Sequence, residues 1–570
     1  MFLFVIATPL LVLGQTGPIF EDSNIRPFTA TGSFSISANT YTASGIANRR
    51  APAGLQSMAN INFSLFGLSS GLNLLYSTDQ SDFRQNMNNI GFNANWKWIT
   101  IQAGDVSPNF SKYGVNGVTI RGGYLQMNPG KWRAEFSGGR SKRAISGNNP
   151  QGGFREPSFQ RWAMAGKIGY EGDEDNHFYL SGHYEVDKLG SLIKPSGITG
   201  ITPKENLTVT PDARVSLFGG ALQFESQITF SAYTRDLNSG KIPNSEIKLP
   251  NFLTSIMQAH QSSRINYAGQ AAANLQLDSF GFEIGYERIQ PGFTSLGTGR
   301  IQDDKERIRF APSVQLFNNK VSVQSNISLD RDNLLNSRIQ TQRNTGVGAS
   351  VQVQVTDMMT ISSNYNLLVN SFTTNSGVVL NSQTAPSDQN HVSHTVMLQP
   401  SITFQGDAKT HNISLSASYF TFDQNFDGDG PSVPAGSVSD TYSTSATYSL
   451  TFTNGLALNS MANVLVNNSG NAESLTLGGN LGGSYTMLER KLTLSFNGGF
   501  NRNRNTTTLS NVSNLQMKTQ QFMLNFTGNY RFADKDSFSL TVRSRSNDVV
   551  EGNSSNYSEL EANLTYQHFF

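Results

Sequence analysis

From about Pro27 to the last residue the chain repeats one pattern that few folds tolerate: short segments in which apolar and polar side chains alternate one by one. Ala59, Ile61, Phe63 and Leu65 share one parity, and Asn60, Asn62 and Ser64 the other. Leu492, Leu494, Phe496 and Phe500 oppose Thr493, Ser495, Asn497 and Asn501 in the same way. Phe522, Leu524, Phe526, Tyr530 and Phe532 oppose Gln521, Asn525, Thr527, Asn529 and Arg531. A period of two is that of a β-strand with one apolar and one polar face. Helical membrane spans are disfavoured, because past the N-terminus no apolar run approaches the roughly 20 residues such a span needs and the mean hydropathy is -0.34.

Between the segments lie two kinds of connection. Short ones read Leu68 to Gly71, Asn128 to Lys131, Phe218 to Ala221, Asp278 to Gly281, Phe317 to Lys320, Asp407 to Lys409, Thr453 to Gly455, Leu488 to Lys491 and Ala533 to Asp536, with Gly, Asn and Asp at the tight positions of hairpins. Longer polar connections alternate with them. Counting both kinds gives about 26 strands, an even number that puts both termini at one end. A soluble sandwich with this many strands would split into several domains joined by visible linkers, and no composition break marks one. Gly at 52 residues, Phe at 37 and Tyr at 18, with charged residues at only 15%, suit an all-β, transmembrane antiparallel β-barrel whose apolar faces meet lipid and whose polar faces line a wet lumen. Trp96, Trp98, Trp132 and Phe532 sit beside short turns, where an interfacial aromatic girdle is expected.

The last strand carries a more specific signal. Leu560, Ala562, Leu564, Tyr566 and Phe570 share one parity against Glu561, Asn563, Thr565 and Gln567, and the chain stops on the aromatic Phe570. This stretch resembles the closing strand of Gram-negative outer-membrane β-barrels, departing from their pattern at His568. The resemblance implies an outer-membrane location, periplasmic termini, and an assembly signal at Tyr566 and Phe570 read by the barrel assembly machinery.

Residues 1–14 read as a signal peptide, with an apolar run from Phe2 to Leu13 and no basic residue ahead of it, followed by a short segment 15–27 and a single barrel over 28–570. The absence of cysteine removes lipoprotein anchors, disulfides and thiolate metal sites. With the strand pattern starting this early, neither the plug of a TonB-dependent transporter nor the periplasmic domains of an Omp85-type insertase is expected.

The first third is basic. Between Arg84 and Lys167 there are twelve Lys and Arg against three Asp and Glu, a local net charge of +9 in a chain whose total is +1. Parity places Lys97, Arg121, Arg133, Arg161 and Lys167 on polar faces, where they form a positive wall that attracts anions over about 8 Å in physiological salt; the alternative is internal pairing with Glu135 and loop carboxylates. The leading function is therefore a channel for passive passage of solutes, small anions among them. The alternative is a structural or machinery subunit whose lumen is filled by loops or by a protein partner. Catalysis is not expected: HExxH, nucleotide loops and thiol sites are missing, His391 and His394 point to opposite faces, and in the row His183, Glu185 and Asp187 successive members are about 6.8 Å apart along the strand. Nucleic acid is not an expected partner.

Two further stretches stand out. Asp423, Asn425, Asp427 and Asp429, with Gly428 at the sixth position, resemble the start of a calcium loop, though Pro434 stands where a Glu ligand belongs; calcium is the one cofactor candidate. The longest connection, Leu237 to Ser262, carries Phe252, Ile256 and Ala259 at helical spacing and is expected to cap the barrel or narrow it.

Overall fold

The computed structural model describes residues 28–65, 67–78, 88–145, 157–173, 175–192, 200–243, 256–375, 387–427, 436–509, 512–552 and 555–570. The expected signal peptide, the segment 15–27 and Asp429 lie outside them. Each alternating segment forms a strand. The first group is β1 (Phe28–Ser44), β2 (Ala53–Leu65), β3 (Leu68–Ser77), β4 (Asn89–Trp96), β5 (Ile99–Val106), β6 (Ile120–Met127), β7 (Trp132–Lys142), β8 (Arg161–Glu171) and β9 (His177–Asp187). The second is β10 (Glu205–Leu217), β11 (Leu222–Thr234), β12 (Ser263–Gln276), β13 (Phe280–Ile289), β14 (Lys305–Leu316), β15 (Val321–Asp332), β16 (Gln340–Gln354), β17 (Met359–Thr374) and β18 (Asp388–Gln405). The third is β19 (Lys409–Asp427), β20 (Ser437–Phe452), β21 (Leu456–Ser469), β22 (Ala472–Met487), β23 (Leu492–Leu509), β24 (Val512–Ala533), β25 (Asp536–Glu551) and β26 (Tyr557–Phe569).

Every strand pairs antiparallel with its sequence neighbours, and β1 pairs with β26 from Ser33 opposite Phe569 to Ser44 opposite Ser558, closing a barrel of 26 strands. Closure satisfies the backbone of both terminal strands, which is what a sheet immersed in hydrocarbon requires. No helix among the described residues is long and apolar enough to cross a membrane. The seam extends to the last residue, where Phe570 and Gly32 exchange backbone hydrogen bonds of 3.1 Å.

The start of β1 and the end of β26 lie at one end of the barrel with the short connections, here the turn end; the other is the loop end. Lys97 and Trp98 form a two-residue turn between β4 and β5 with Lys97 at φ 53°, a left-handed conformation that costs a non-glycine residue about 1 to 2 kcal/mol. The connections joining β4 to β5, β8 to β9 and β16 to β17 are not among the short ones named from sequence, and the turn expected at Leu68 to Gly71 lies ahead of Leu68, which already pairs with Leu65. At the loop end not every connection is long: 470–471 is a tight turn between β21 and β22.

Outside, the apolar parity is bare. Phe496 is 52% exposed, Leu524 51% and Leu564 48%, and comparable residues follow on strand after strand. A continuous apolar belt of this extent is untenable in water and is the lipid face of a transmembrane barrel. At the turn end Trp96, Trp98 and Trp132 are exposed, with Trp132 edge-on to Tyr170 at 5.7 Å. Phe532, Phe538 and Tyr566 continue the aromatic border at 5.3 Å ring spacings.

Candidate functional site: a divided lumen

The inner faces of the two sides of the barrel differ. From β8 to β12 many inward positions are small or short: Ala163, Ala165, Ser181, Thr208, Thr210, Thr229, Ser231 and Ala268, all buried. They leave a hollow, and two loop-end connections fill it. Residues 107–119 carry Phe110, Tyr113 and Val115, each at most 3% exposed, and 290–304 carry Phe293, also 3% exposed. Burying such side chains is favourable by about 1.5 to 3 kcal/mol apiece, so these connections turn inward rather than standing in solvent.

The first connection forms a strap. Ser111 shapes its tip, accepting hydrogen bonds at Oγ from the Gly114 and Val115 amides at 3.0 and 3.3 Å. Phe110 and Val115 pack on Ala165 and Tyr124, while Tyr113 packs on Ala268, Ile289 and Phe293. The strap starts beside β6 and is anchored on the far strands: the Lys112 amide donates to Gln227 Oε1 at 2.8 Å, and its ammonium reaches Gln270 Oε1 at 2.6 Å and Glu287 Oε1 at 2.7 Å. The Tyr113 hydroxyl also donates to Glu287. The second connection locks the strap down. The Asn116 amide donates to the Gly297 carbonyl at 2.8 Å, Ser295 Oγ to the Gly114 carbonyl at 2.7 Å, the Leu296 amide to Asn206 Oδ1 at 2.9 Å, and Ser231 Oγ to the Thr294 carbonyl at 2.6 Å.

Nearer the turn end the same sector is filled by a charged network. Arg133 bonds Glu135 at 2.6 Å and Glu171 at 2.9 Å, Tyr124 donates to Glu135 at 2.5 Å, and Lys167 lies 3.8 Å from Glu135 and 4.1 Å from the Tyr179 ring centroid. The strap and this network pack one sector of the lumen, bounded by β6–β13, whereas among the described residues the inward side chains of β14–β26 and β1–β5 stand mostly partly exposed; this second sector is termed the conduit below.

The conduit wall has a different chemistry. One transverse row of the ladder runs Asn459, Gly482, Asn497, Asn525, Arg543, Glu561 and another Asn463, Gly478, Asn501, Gln521, Asn547. Asn480 and Asn497 exchange amide hydrogen bonds at 2.6 and 3.0 Å, and Thr476 donates to Asn503 at 2.8 Å. Side chains here stand partly exposed, and buried strand residues are scattered, Tyr41, Ser70, Thr341, Thr519 and Asn547 among them. Several charges on this wall are paired: Arg307 with Asp330 at 2.6 Å, Arg309 with Glu283 of the adjoining β13 at 3.6 Å, and Arg543 directly opposite Glu561.

The five basic residues expected to form one positive wall are distributed otherwise. Lys97 is in the turn, its ammonium 5.1 Å from the Trp96 ring. Arg121 shares its face with the outward Leu125, since the chain enters β6 with the opposite phase; it bonds Asp105 at 2.7 and 2.6 Å and the Asn88 carbonyl at 2.8 Å. Arg133, Arg161 and Lys167 do face inward, but within the packed sector. Arg161 is 7% exposed and holds Asp187 through two bonds of 2.7 and 3.1 Å with Glu185 at 3.8 Å. Internal pairing, the alternative weighed from sequence, therefore describes these inward cations.

His183, Glu185 and Asp187 face inward in one row and are buried beneath the strap. His183 Nε2 approaches Glu185 Oε1 to 3.3 Å without hydrogen-bond geometry. Asp423, Asn425 and Asp427 lie on extended β19 rather than in a loop, so they share its outward face in file instead of converging on one point. Among the described residues no group of three or more His, Asp or Glu is placed to hold a metal ion. His391 faces inward between Phe372 and Phe422, whereas His394 faces outward to the Tyr365 hydroxyl at 3.0 Å. Of the long connection, Phe252 lies outside the described residues, Ile256 is exposed, and Met257 and His260 are buried. At the seam Tyr566 and His568 both bond Asp536 Oδ1 at 2.7 Å, and His568 stacks on Phe570 at 6.0 Å, so the histidine that departs from the family pattern continues the aromatic row.

No family model matches the chain, and no curated protein matches it. Among solved structures it is similar to OccAB2 of Acinetobacter baumannii, with 10% identity over 65% of this chain and 92% of that one and a TM-score of 0.30. A BenF-like porin from Pseudomonas fluorescens Pf-5 gives 11% identity over 72% and 99%, with a TM-score of 0.29. The FpvAI-pyocin S2 complex gives 10% identity over 95% and 70%, with a TM-score of 0.39.

Proposed function

We propose that this protein is an outer-membrane channel, oriented with its turn end in the periplasm and its loop end outside, through which small polar solutes pass passively. The observation that carries this reading is the asymmetry of the lumen: the apolar connections described are spent on one sector, and the wall from β14 through β26 to β5 is rich in partly exposed amides and hydroxyls. Neutral hydrogen-bonding groups replace the water shell of a sugar-like or amide-bearing solute without holding it tightly. Because several charges on the conduit wall are paired with opposite ones, discrimination between anions and cations is weak. Any anion preference arises outside Lys97, Arg121, Arg133, Arg161 and Lys167.

The experiment is conductance of the purified barrel in planar lipid bilayers at low salt. Stable ohmic steps with a small reversal potential under a salt gradient are expected. A folded barrel that stays silent and copurifies with a stoichiometric protein would overturn the channel in favour of a scaffold subunit.

A further inference from the structure

On the lipid-facing side of the wall, at the loop end, four directly opposed residues form one transverse row: Arg288 of β13, Glu306 of β14, Arg331 of β15 and Arg343 of β16. Their outward direction follows from alternation, because the next outward row toward the turn end holds Tyr286, Ile308 and Leu329, each more than 40% exposed. Three guanidinium groups thus share this row with one carboxylate. Glu306 is reached by Arg288 at 3.2 Å and by Arg331 at 3.2 Å, and it also accepts from the Tyr286 hydroxyl at 2.6 Å. Arg331 and Arg343 stand directly opposite each other across the ladder, a like-charge arrangement that is unfavourable unless something negative lies between or above them. The Nε atoms of Arg288 and Arg331 are enclosed and have no hydrogen-bond partner.

We propose that Arg288, Arg331 and Arg343, with Glu306 among them, form a binding site for the phosphorylated sugar headgroup of an outer-leaflet glycolipid. Guanidinium groups present paired N–H donors that match phosphate oxygens, and each cation near a membrane surface strengthens binding to anionic lipid. Four adjacent strands make the row about 14 Å wide, enough to span a disaccharide carrying a phosphate on each sugar. The acyl chains of that lipid would then lie along Tyr286, Ile308 and Leu329, which a free phosphate could not use. The site rests on the proposed orientation, with the loop end outside.

The test uses the detergent-solubilised full-length barrel and native mass spectrometry, with bis-phosphorylated lipid A, its dephosphorylated counterpart, and inorganic phosphate as probes. The wild type should prefer the phosphorylated lipid on the order of a hundredfold, and excess inorganic phosphate should not displace it. The triple variant R288Q/R331Q/R343Q should lose the preference. Glu306→Gln, which removes the one opposing charge, should tighten binding about fivefold, a gain that misfolding does not produce. Equal binding of the two lipids, an unchanged preference in the triple variant, unchanged affinity in Glu306→Gln, or displacement by inorganic phosphate overturns the proposal. Orientation is read separately from Leu335→Cys, a 69% exposed loop-end position in a chain without cysteine. Labelling by an impermeant maleimide on intact cells supports the placement, and labelling only after lysis overturns it whatever the purified barrel binds.

Discussion

Gly297→Ala is the smallest change that should unsettle the strap. A Cβ at this position would stand 2.5 Å from His183 Cε1 and 2.8 Å from its Nδ1, and closer still to the Gly114 carbonyl oxygen. Gly114 belongs to the strap, and its carbonyl is already held by Ser295 Oγ at 2.7 Å, so relief requires the two connections to separate. Overpacking of this kind costs about 1 to 3 kcal/mol, against interloop and loop-to-wall hydrogen bonds worth about 0.5 to 1.5 kcal/mol each. The undocked population should therefore rise about 5- to 150-fold, and a strap released into the lumen obstructs the conduit intermittently. Single-channel records should show frequent brief closures absent from the wild type. Gly299→Ala is the control, because a Cβ there meets nothing within 4 Å. If Gly297→Ala folds normally and its records match both the wild type and Gly299→Ala, the strap is not held as described.

Removing Phe570 should lower the amount of heat-modifiable barrel in the outer membrane, since it deletes both the seam hydrogen bonds with Gly32 and the proposed assembly signal; undiminished insertion would contradict both. Arg161→Gln leaves Asp187 and Glu185 buried without their cation and should destabilise the barrel by about 3 to 5 kcal/mol, read as a lower unfolding temperature, while ion selectivity stays as it was. At the turn end Lys131 and Asp173 pair at 2.7 Å; the lysine hydrogen bond and charge hold the Asp173 carboxyl below its ordinary range, and the carboxylate holds the ammonium above its own. The stabilisation from Asp173 is thus present above the unfolded carboxyl pKa of about 3.9 and lost as pH falls through the lower folded value, and that from Lys131 is present below about 10.4 and lost as pH rises through the higher folded value. Carboxyl NMR should show Asp173 titrating at higher pH in Lys131→Gln, and an unmoved titration would exclude the pairing.

Strand number, alternation and closure were legible because a period of two leaves no freedom once one face is apolar: Phe496 and Asn497 fall on opposite faces wherever the strand begins. Phase was less secure. Arg121 follows a connection that re-enters the sheet with the opposite parity, and Lys97 stands between two tryptophans that both belong to the turn-end border, so a run that reads as continuous strand is broken by a two-residue turn. The division of the lumen was not read at all, although the signal is present in Phe110, Tyr113, Val115 and Phe293, large apolar residues in connections otherwise polar. Their counterpart, the small inward residues Ala163, Ala165, Thr208 and Ser231, is distributed over distant strands and becomes a hollow only when the barrel is closed. The pairing of Arg161 with Asp187 lies across neighbouring strands and depends on a register that parity alone does not fix.

The division of the lumen is tested most directly by thiol accessibility, for which the absence of cysteine is an advantage. Asn459→Cys places a thiol on the exposed inner face of β21, and Thr208→Cys places one in the packed sector at a site 1% exposed. In the folded barrel the thiol at 459 should react readily with a water-soluble maleimide and the adduct should reduce conductance, while the thiol at 208 should remain unreacted until the barrel is unfolded. Comparable labelling rates at the two positions, or a conductance that falls on treating the Thr208→Cys barrel, would contradict a lumen divided between a packed sector and a conduit.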